Sequence, residues 1–298
     1  MSASLTLQMT DAVSGYRNLI DKALAKYCQF GEGCPPKLRE AIEYALLAPG
    51  KRIRPILALA AAEACGGQAE AALPAACAVE MIHCYSLVHD DLPAMDDDDL
   101  RRGRPTSHVV YGEANAILTG DALLAYAFEI LAREIQPPEV AAACVANLAR
   151  AAGPMALVGG QFDDLAAGQQ PRNLEALKAI HRRKTGAMLT VSLELGAKVA
   201  GADEDQLKVL TGYGRALGMA FQITDDLLDT VGSCEALGKR TGKDAELDKL
   251  TYPGLMGLEA SQKEAQRLTD EACAAALSFG EQGRTLELIA RFVLERNK

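Results

Sequence analysis

Apolar residues return at helical spacing along nearly the whole chain, and strict period-two alternation of β-branched residues is hard to find. Such a pattern leaves little room for anything but a helical fold. Segment 173–200, "NLEALKAIHRRKTGAMLTVSLELGAKVA", starts at Asn173 as a candidate cap and stops at Gly201. Segment 203–231 begins at Asp203 and ends before Gly232. Segments 37–47, 53–66, 74–91, 114–133, 138–152, 155–168, 260–278 and 284–296 read the same way. The breaks between them are short and marked by glycine, proline or charge. No long linker, composition shift or fixed-period repeat divides the 298 residues, so a single all-α domain over 1–298 is expected. Several helices are apolar on more than one face, so some must be central.

The bulk numbers exclude some functions. A net charge of -9 argues against general affinity for nucleic acid or an anionic membrane. No stretch approaches the ~18 uninterrupted apolar residues of a membrane span, so none is expected. The start, "MSASLTLQMTDAVSGY", lacks the basic-then-apolar pattern of a signal peptide. Eight cysteines form no CxxC and fit neither a zinc site nor a disulfide scaffold. Reduced core cysteines and a cytoplasmic location follow as expectations.

Charge concentrates at 89–104, "HDDLPAMDDDDLRRGR", where six aspartates precede three arginines. A charge run alone is equally well a solvated loop. Crowded carboxylates, however, resist double ionisation unless a cation sits between them. Asp90 and Asp91 close an apolar helix, and Pro93 discourages its continuation. Asp96 can then fold back beside Asp90. A second cluster, "DDLLD", places Asp225 and Asp229 four residues apart on one helix face, with Gln222 near that line. The flanking sequence is apolar, so these acids have little reason to lie in water. Two acidic patches facing each other would hold Mg²⁺, which binds carboxylate oxygens and keeps positions open for phosphate.

Basic residues gather near the acids. "GKRIRP" carries Lys51, Arg52 and Arg54, and Arg101, Arg102 and Arg104 follow the first cluster. "HRRKTG" offers Lys184 and Thr185, and "LGKRTGK" offers Lys239. Any one of these is an ordinary surface charge by itself. Together they suit an anionic ligand.

In this order, "GKRIRP", "MIHCYSLVHDDLPAMDDDDLRRG", "GGQ", "HRRKTG", "AFQITDDLLD" and "LGKR" resemble the short-chain trans-prenyl diphosphate synthases, most nearly the bacterial farnesyl diphosphate synthases. The likeness covers nearly the whole chain. Its two aspartate motifs have the forms DDx4D and DDxxD. Pro49 stands where the family often has a second glycine, and Asp163 where an apolar residue is more usual.

The resemblance implies an isoprenoid synthase-type helical bundle around a deep central cavity, usually in a homodimer. It implies head-to-tail condensation of isopentenyl diphosphate with dimethylallyl and then geranyl diphosphate, giving farnesyl diphosphate. Asp90, Asp96 and Asp225 would ligate Mg²⁺, three ions per active site, with Asp91 and Asp229 as supporting acids. Arg101, Lys184, Thr185, Gln222 and Lys239 would meet the allylic diphosphate. Lys51, Arg54, His83 and Arg102 would hold isopentenyl diphosphate.

Thr185 and Gln222 carry oxygen dipoles that can face a carbocation without trapping it. Tyr85 and Ser86, five and four residues before Asp90, stand about 6–7.5 Å back along the helix. Tyr85 is bulky enough to floor the tail pocket, and in the family this position is linked to length control. Three other enzymes are weighed: a geranyl or geranylgeranyl diphosphate synthase of the same family, a terpene cyclase, and a helical metal phosphohydrolase. A cyclase binds one diphosphate and has no use for "GKRIRP" and His83. A phosphohydrolase needs more histidine ligands than the four present. A noncatalytic acidic binding protein would not couple metal to turnover.

Overall fold

The computed structural model describes residues 3–166, 171, 173–231 and 250–295. Its helices are α1 (Ala3–Tyr27), α2 (Pro36–Leu46), α3 (Ile53–Ala64), α4 (Leu73–Asp90), α5 (Ser107–Tyr111), α6 (Glu113–Glu134) and α7 (Pro138–Ala152). They continue as α8 (Leu157–Leu165), α9 (Leu174–His181), α10 (Ala187–Val199) and α11 (Glu204–Val231). Last come α12 (Tyr252–Met256), α13 (Leu258–Leu277) and α14 (Arg284–Glu295). A two-stranded antiparallel ribbon, β1 (Leu100–Arg101) and β2 (Arg104–Pro105), is the one sheet among the described residues. The all-α expectation holds.

Local chemistry sets the ends. The Asn173 carboxamide accepts from the Ala176 amide at 3.0 Å, capping α9. Asp203 and Gln206 cap α11 reciprocally, at 2.8 and 3.1 Å. Two departures from the sequence reading stand out. Helix α1 lies in a stretch where no helix was expected, because its apolar positions are interrupted by polar ones and no strong cap precedes them. The stretch 173–200 is not one α-helix either: residues 182–186 form a π turn between α9 and α10.

Helices α3 and α4 are buried on nearly all sides. Around them, α4 packs on α6, α10 on α3 and α11, and α11 on α13. Gly196 makes the α10–α3 contact possible, since a Cβ there would lie 1.9 Å from the Ala58 carbonyl oxygen. Three stretches, Ala69–Asp90, Glu113–Glu134 and Pro138–Leu165, are long and apolar enough to cross a membrane by length and composition. The sequence reading counted only uninterrupted apolar runs, whereas these alanine-rich stretches carry scattered charges. The first is 67% buried inside the bundle. All seven described cysteines are free.

Candidate active site

The site starts where α4 runs out. Pro93 ends the helix, and the chain turns back so that the Asp96 amide donates to the Asp90 carbonyl at 2.9 Å. The fold-back expected from the sequence is therefore present. Burial, with Asp96 and Asp91 adding their charge, outweighs Lys184 and Arg101 and pushes the Asp90 carboxyl up to about 6. Asp97 adopts a left-handed φ of 50° at the tip of this turn. Asp91, expected as a supporting acid at the metal, is buried and held by Arg101, whose Nε donates to its Oδ1 at 2.7 Å. Of the pair, Asp90 stays half-buried while Asp91 fixes an arginine.

Across from α4, the π turn presents "RKTG". Lys184 Nζ donates to Asp164 Oδ2 at 2.7 Å, and its charge reaches Asp90 and Asp96. Thr185 Oγ1 donates to Gln222 Oε1 at 2.7 Å, which ties the turn to α11. Gly160 on α8 lets the turn approach closely, because a Cβ there would lie 2.4 Å from the Lys184 backbone nitrogen. Asp163, the residue out of keeping with the family pattern, lies 2.7 Å from the Arg183 guanidinium. Adjacent acids on α8 thus pair with adjacent bases on the π turn. The sequence carried that signal as "DD" and "RK", but nothing in it placed the two together.

On α11, Asp225 and Asp229 are half-buried, while Asp226 turns inward and accepts from the Tyr252 amide at 2.8 Å. Asp226 therefore holds the start of α12. Arg54 senses the charges of Asp225, Glu80 and Arg102. Its Nη1 is 3.4 Å from His83 Nε2, and its buried Nε has no hydrogen-bond partner among the described residues. Burial and the neighbouring arginines drive the His83 pKa well down, so the ring is neutral. Both amide atoms of Gln161, in the "GGQ" motif, are likewise buried and unpartnered among the described residues.

Arg52 belongs to the scaffold. It takes a left-handed φ of 52° and is buried. Its guanidinium reaches Glu80 Oε1 at 2.6 Å, Asp21 Oδ1 at 3.1 Å and the carbonyls of Leu46 and Ala48. Those bonds fix the loop carrying Lys51, which is exposed, and the first turn of α3, which carries Arg54. Arg102 donates to the Pro49 carbonyl at 2.6 Å, a contact that proline keeps as well as glycine would. Arg52, His83, Asp91, Arg101 and Arg102 line one cavity of about 70 Å³. Tyr85 is buried, and the Ser86 hydroxyl donates to the His83 carbonyl at 2.9 Å. Lys239 lies outside the described residues.

Among the described residues no three acids, histidines or cysteines converge into a ready-made metal site. The donors nevertheless fit a hard divalent cation. They are carboxylate oxygens, and Asp90, raised first by burial and then by the charges of Asp96 and Asp91, is a group whose ionised form a cation would stabilise. Paired carboxylates leave the remaining coordination positions to water and to a ligand's phosphate oxygens.

The polyprenyl synthetase family model matches residues 35–279. A geranylgeranyl diphosphate synthase of Cyanophora paradoxa is 48% identical over 89% of this chain and 89% of its own length. A farnesyl diphosphate synthase of Geobacillus stearothermophilus is 44% identical over 98% of this chain and 99% of its own. The crystal structure of a farnesyl/geranylfarnesyl diphosphate synthase from Zymomonas mobilis superposes with a TM-score of 0.83 at 38% identity, covering 99% of this chain and 100% of that one. With the motifs, the bundle and these likenesses in agreement, the chain belongs to the polyprenyl synthetase family.

Proposed function

We propose that the protein is a farnesyl diphosphate synthase, joining isopentenyl diphosphate head to tail first to dimethylallyl and then to geranyl diphosphate. The observation that carries this reading is the presence of both crowded acids at Asp90 and Asp96 and a half-buried cation at Arg54 whose Nε has no partner among the described residues. The first suits a metal-bound diphosphate, and the second suits a diphosphate held directly. Two anionic substrates need both.

Breaking the allylic C–O bond separates a diphosphate from a carbocation. Mg²⁺ on Asp90, Asp96, Asp225 and Asp229 would supply neutralisation of the departing diphosphate. Lys184 and Arg101, held in place by Asp164 and Asp91, add fixed positive charge to the same group. Lys239 joins them on the strength of its motif. The Thr185–Gln222 pair presents weakly nucleophilic oxygens to the cation. Arg54, Arg102, His83 and Lys51 orient isopentenyl diphosphate, with neutral His83 acting as a hydrogen-bonding partner rather than a charge. The final proton goes to the released diphosphate.

The names of the relatives divide between farnesyl and geranylgeranyl products. Tyr85 favours the shorter one, because its buried ring lies just over one turn from Asp90. The exposed apolar side chains Val109, Val110, Ile117 and Leu118 on α5 and α6 suit burial against a second copy in a homodimer. Free cysteines suit a reducing cytoplasm.

Radiolabelled isopentenyl diphosphate with dimethylallyl diphosphate and Mg²⁺ tests the reading. A fifteen-carbon product that disappears with EDTA and returns with Mg²⁺ is expected. No condensation would sink it, and a predominantly twenty-carbon product would replace it with the geranylgeranyl reading.

A further inference from the structure

Tyr85 and His89 are four residues apart on α4 and share a face. Their rings meet edge to face, with centroids 5.8 Å apart and planes at 78°. His89 is fixed from its far side by α6. Its Nε2 lies 3.0 Å from the Ile117 carbonyl oxygen, and since a carbonyl only accepts, Nε2 carries the proton. The Asp121 carboxylate is 4.0 Å from the same nitrogen.

What makes room for this ring is Gly120. A Cβ at that position would lie 2.1 Å from His89 Nε2 and 2.5 and 2.8 Å from its two neighbouring ring carbons. Any side chain there would evict the imidazole from its seat. The α4–α6 contact thus contains a notch made by glycine and filled by histidine, and the histidine backs a tyrosine.

We propose that His89 is a positioning residue that sets product length, by bracing Tyr85 against α6 in the notch at Gly120. The inference rests on the fifteen-carbon reading with Tyr85 as the floor. A growing tail that pushed Tyr85 aside would have to move a second ring as well and break the hydrogen bond to Ile117. Length control then belongs to two helices rather than to one side chain. Of the contacts that hold His89, those from α6 are made by Ile117, Gly120 and Asp121, a single turn of that helix.

The test is the ratio of twenty- to fifteen-carbon products at matched conversion, which cancels any change in overall rate. His89→Ala is expected to raise that ratio about three- to tenfold, the worth of one aromatic pair converted to a population ratio. His89→Gln keeps a donor for the Ile117 carbonyl but removes the ring, and is expected to lengthen products too. In a Tyr85→Ala background, His89→Ala is expected to add nothing, because it acts through the tyrosine. Melting curves confirm that each variant is folded. If Tyr85→Ala lengthens products while both folded His89 variants keep the wild-type ratio, bracing is refuted and the floor assignment stands. Full additivity in the double variant also refutes it. A wild type that already makes mainly twenty-carbon product overturns the fifteen-carbon reading itself.

Discussion

At the scale of single residues, Asp90 has a charge state that can be followed without any substrate. Its carboxyl is pushed up to about 6, above the ordinary aspartate value, so between about 4 and 6 the folded chain binds a proton that the unfolded chain does not. Asp90 ionisation therefore opposes folding above about 6, and this opposition fades as pH falls. In EDTA, Asp90→Asn is expected to melt at a higher temperature than the wild type at pH 7, with the gap closing toward pH 4. Thermal scans across that range check it, and an equal gap at both ends would show that Asp90 is not the strained group. With Mg²⁺ and substrates the same substitution is expected to lower turnover by several orders of magnitude. Asp225→Ala should do likewise. The basic residues divide differently: Arg54→Ala is expected to raise the Michaelis constant for isopentenyl diphosphate more than that for the allylic partner, and Lys184→Ala the reverse. Steady-state kinetics with each substrate varied in turn settles the division, which fails if both variants weaken both substrates alike.

At the scale of elements, much of the site is held by ion pairs between its own side chains. Glu80, inside α4, and Arg52, at the start of α3, bury an ion pair whose side chains are 6% and 7% exposed. Removing Glu80 leaves the buried Arg52 guanidinium with only the half-exposed Asp21 as counter-charge, so Glu80→Ala is expected to cost about 3–5 kcal/mol of stability in denaturant titrations. Because Arg52 anchors the loop of Lys51 and the start of α3 with Arg54, any surviving folded protein should also bind isopentenyl diphosphate more weakly. The seam between α8 and the π turn depends on close approach. Gly160→Ala puts a methyl into the Lys184 backbone, which cannot yield as a flexible side chain would. Overpacking of this kind costs about 1–3 kcal/mol, and here it should also displace Lys184. A drop in melting temperature together with a raised allylic Michaelis constant is expected. Wild-type kinetics in the Gly160→Ala variant would show that the turn tolerates the shift.

At the scale of the molecule, the proposed homodimer rests on the apolar patch of α5 and α6. Leu118 is 54% exposed and sits among other exposed apolar side chains. Leu118→Glu is expected to convert a dimer to a monomer in light scattering, while circular dichroism stays helical. A wild type that runs as a monomer at micromolar concentration would remove that proposal. Tyr85→Ala, in turn, is expected to extend products to twenty carbons or more while sparing the first condensation, read by chromatography of the dephosphorylated products.

The helical class, most helix limits and both acidic patches were legible in the sequence, because period, caps and charge are local properties of neighbouring residues. Asn173 and Asp203 announced their helices through side chains that bond three residues ahead. The fold-back of Asp96 on Asp90 could be read from Pro93 alone. Other features depended on contacts distant in the chain. That Asp91 serves Arg101, that Asp226 serves Tyr252, and that Asp163 and Asp164 pair with Arg183 and Lys184 depends on which helix faces which. The π turn inside 173–200 and the seat of His89 over Gly120 are likewise set by packing partners. Local order of residues sets which positions can carry charge and where the chain coils. Packing between distant helices sets which of those charges bond one another, and which keep a buried donor without a partner among the described residues, as at Arg54 Nε. The reason is physical: desolvation and pairing are properties of the surroundings a side chain acquires when helices distant in sequence close around it.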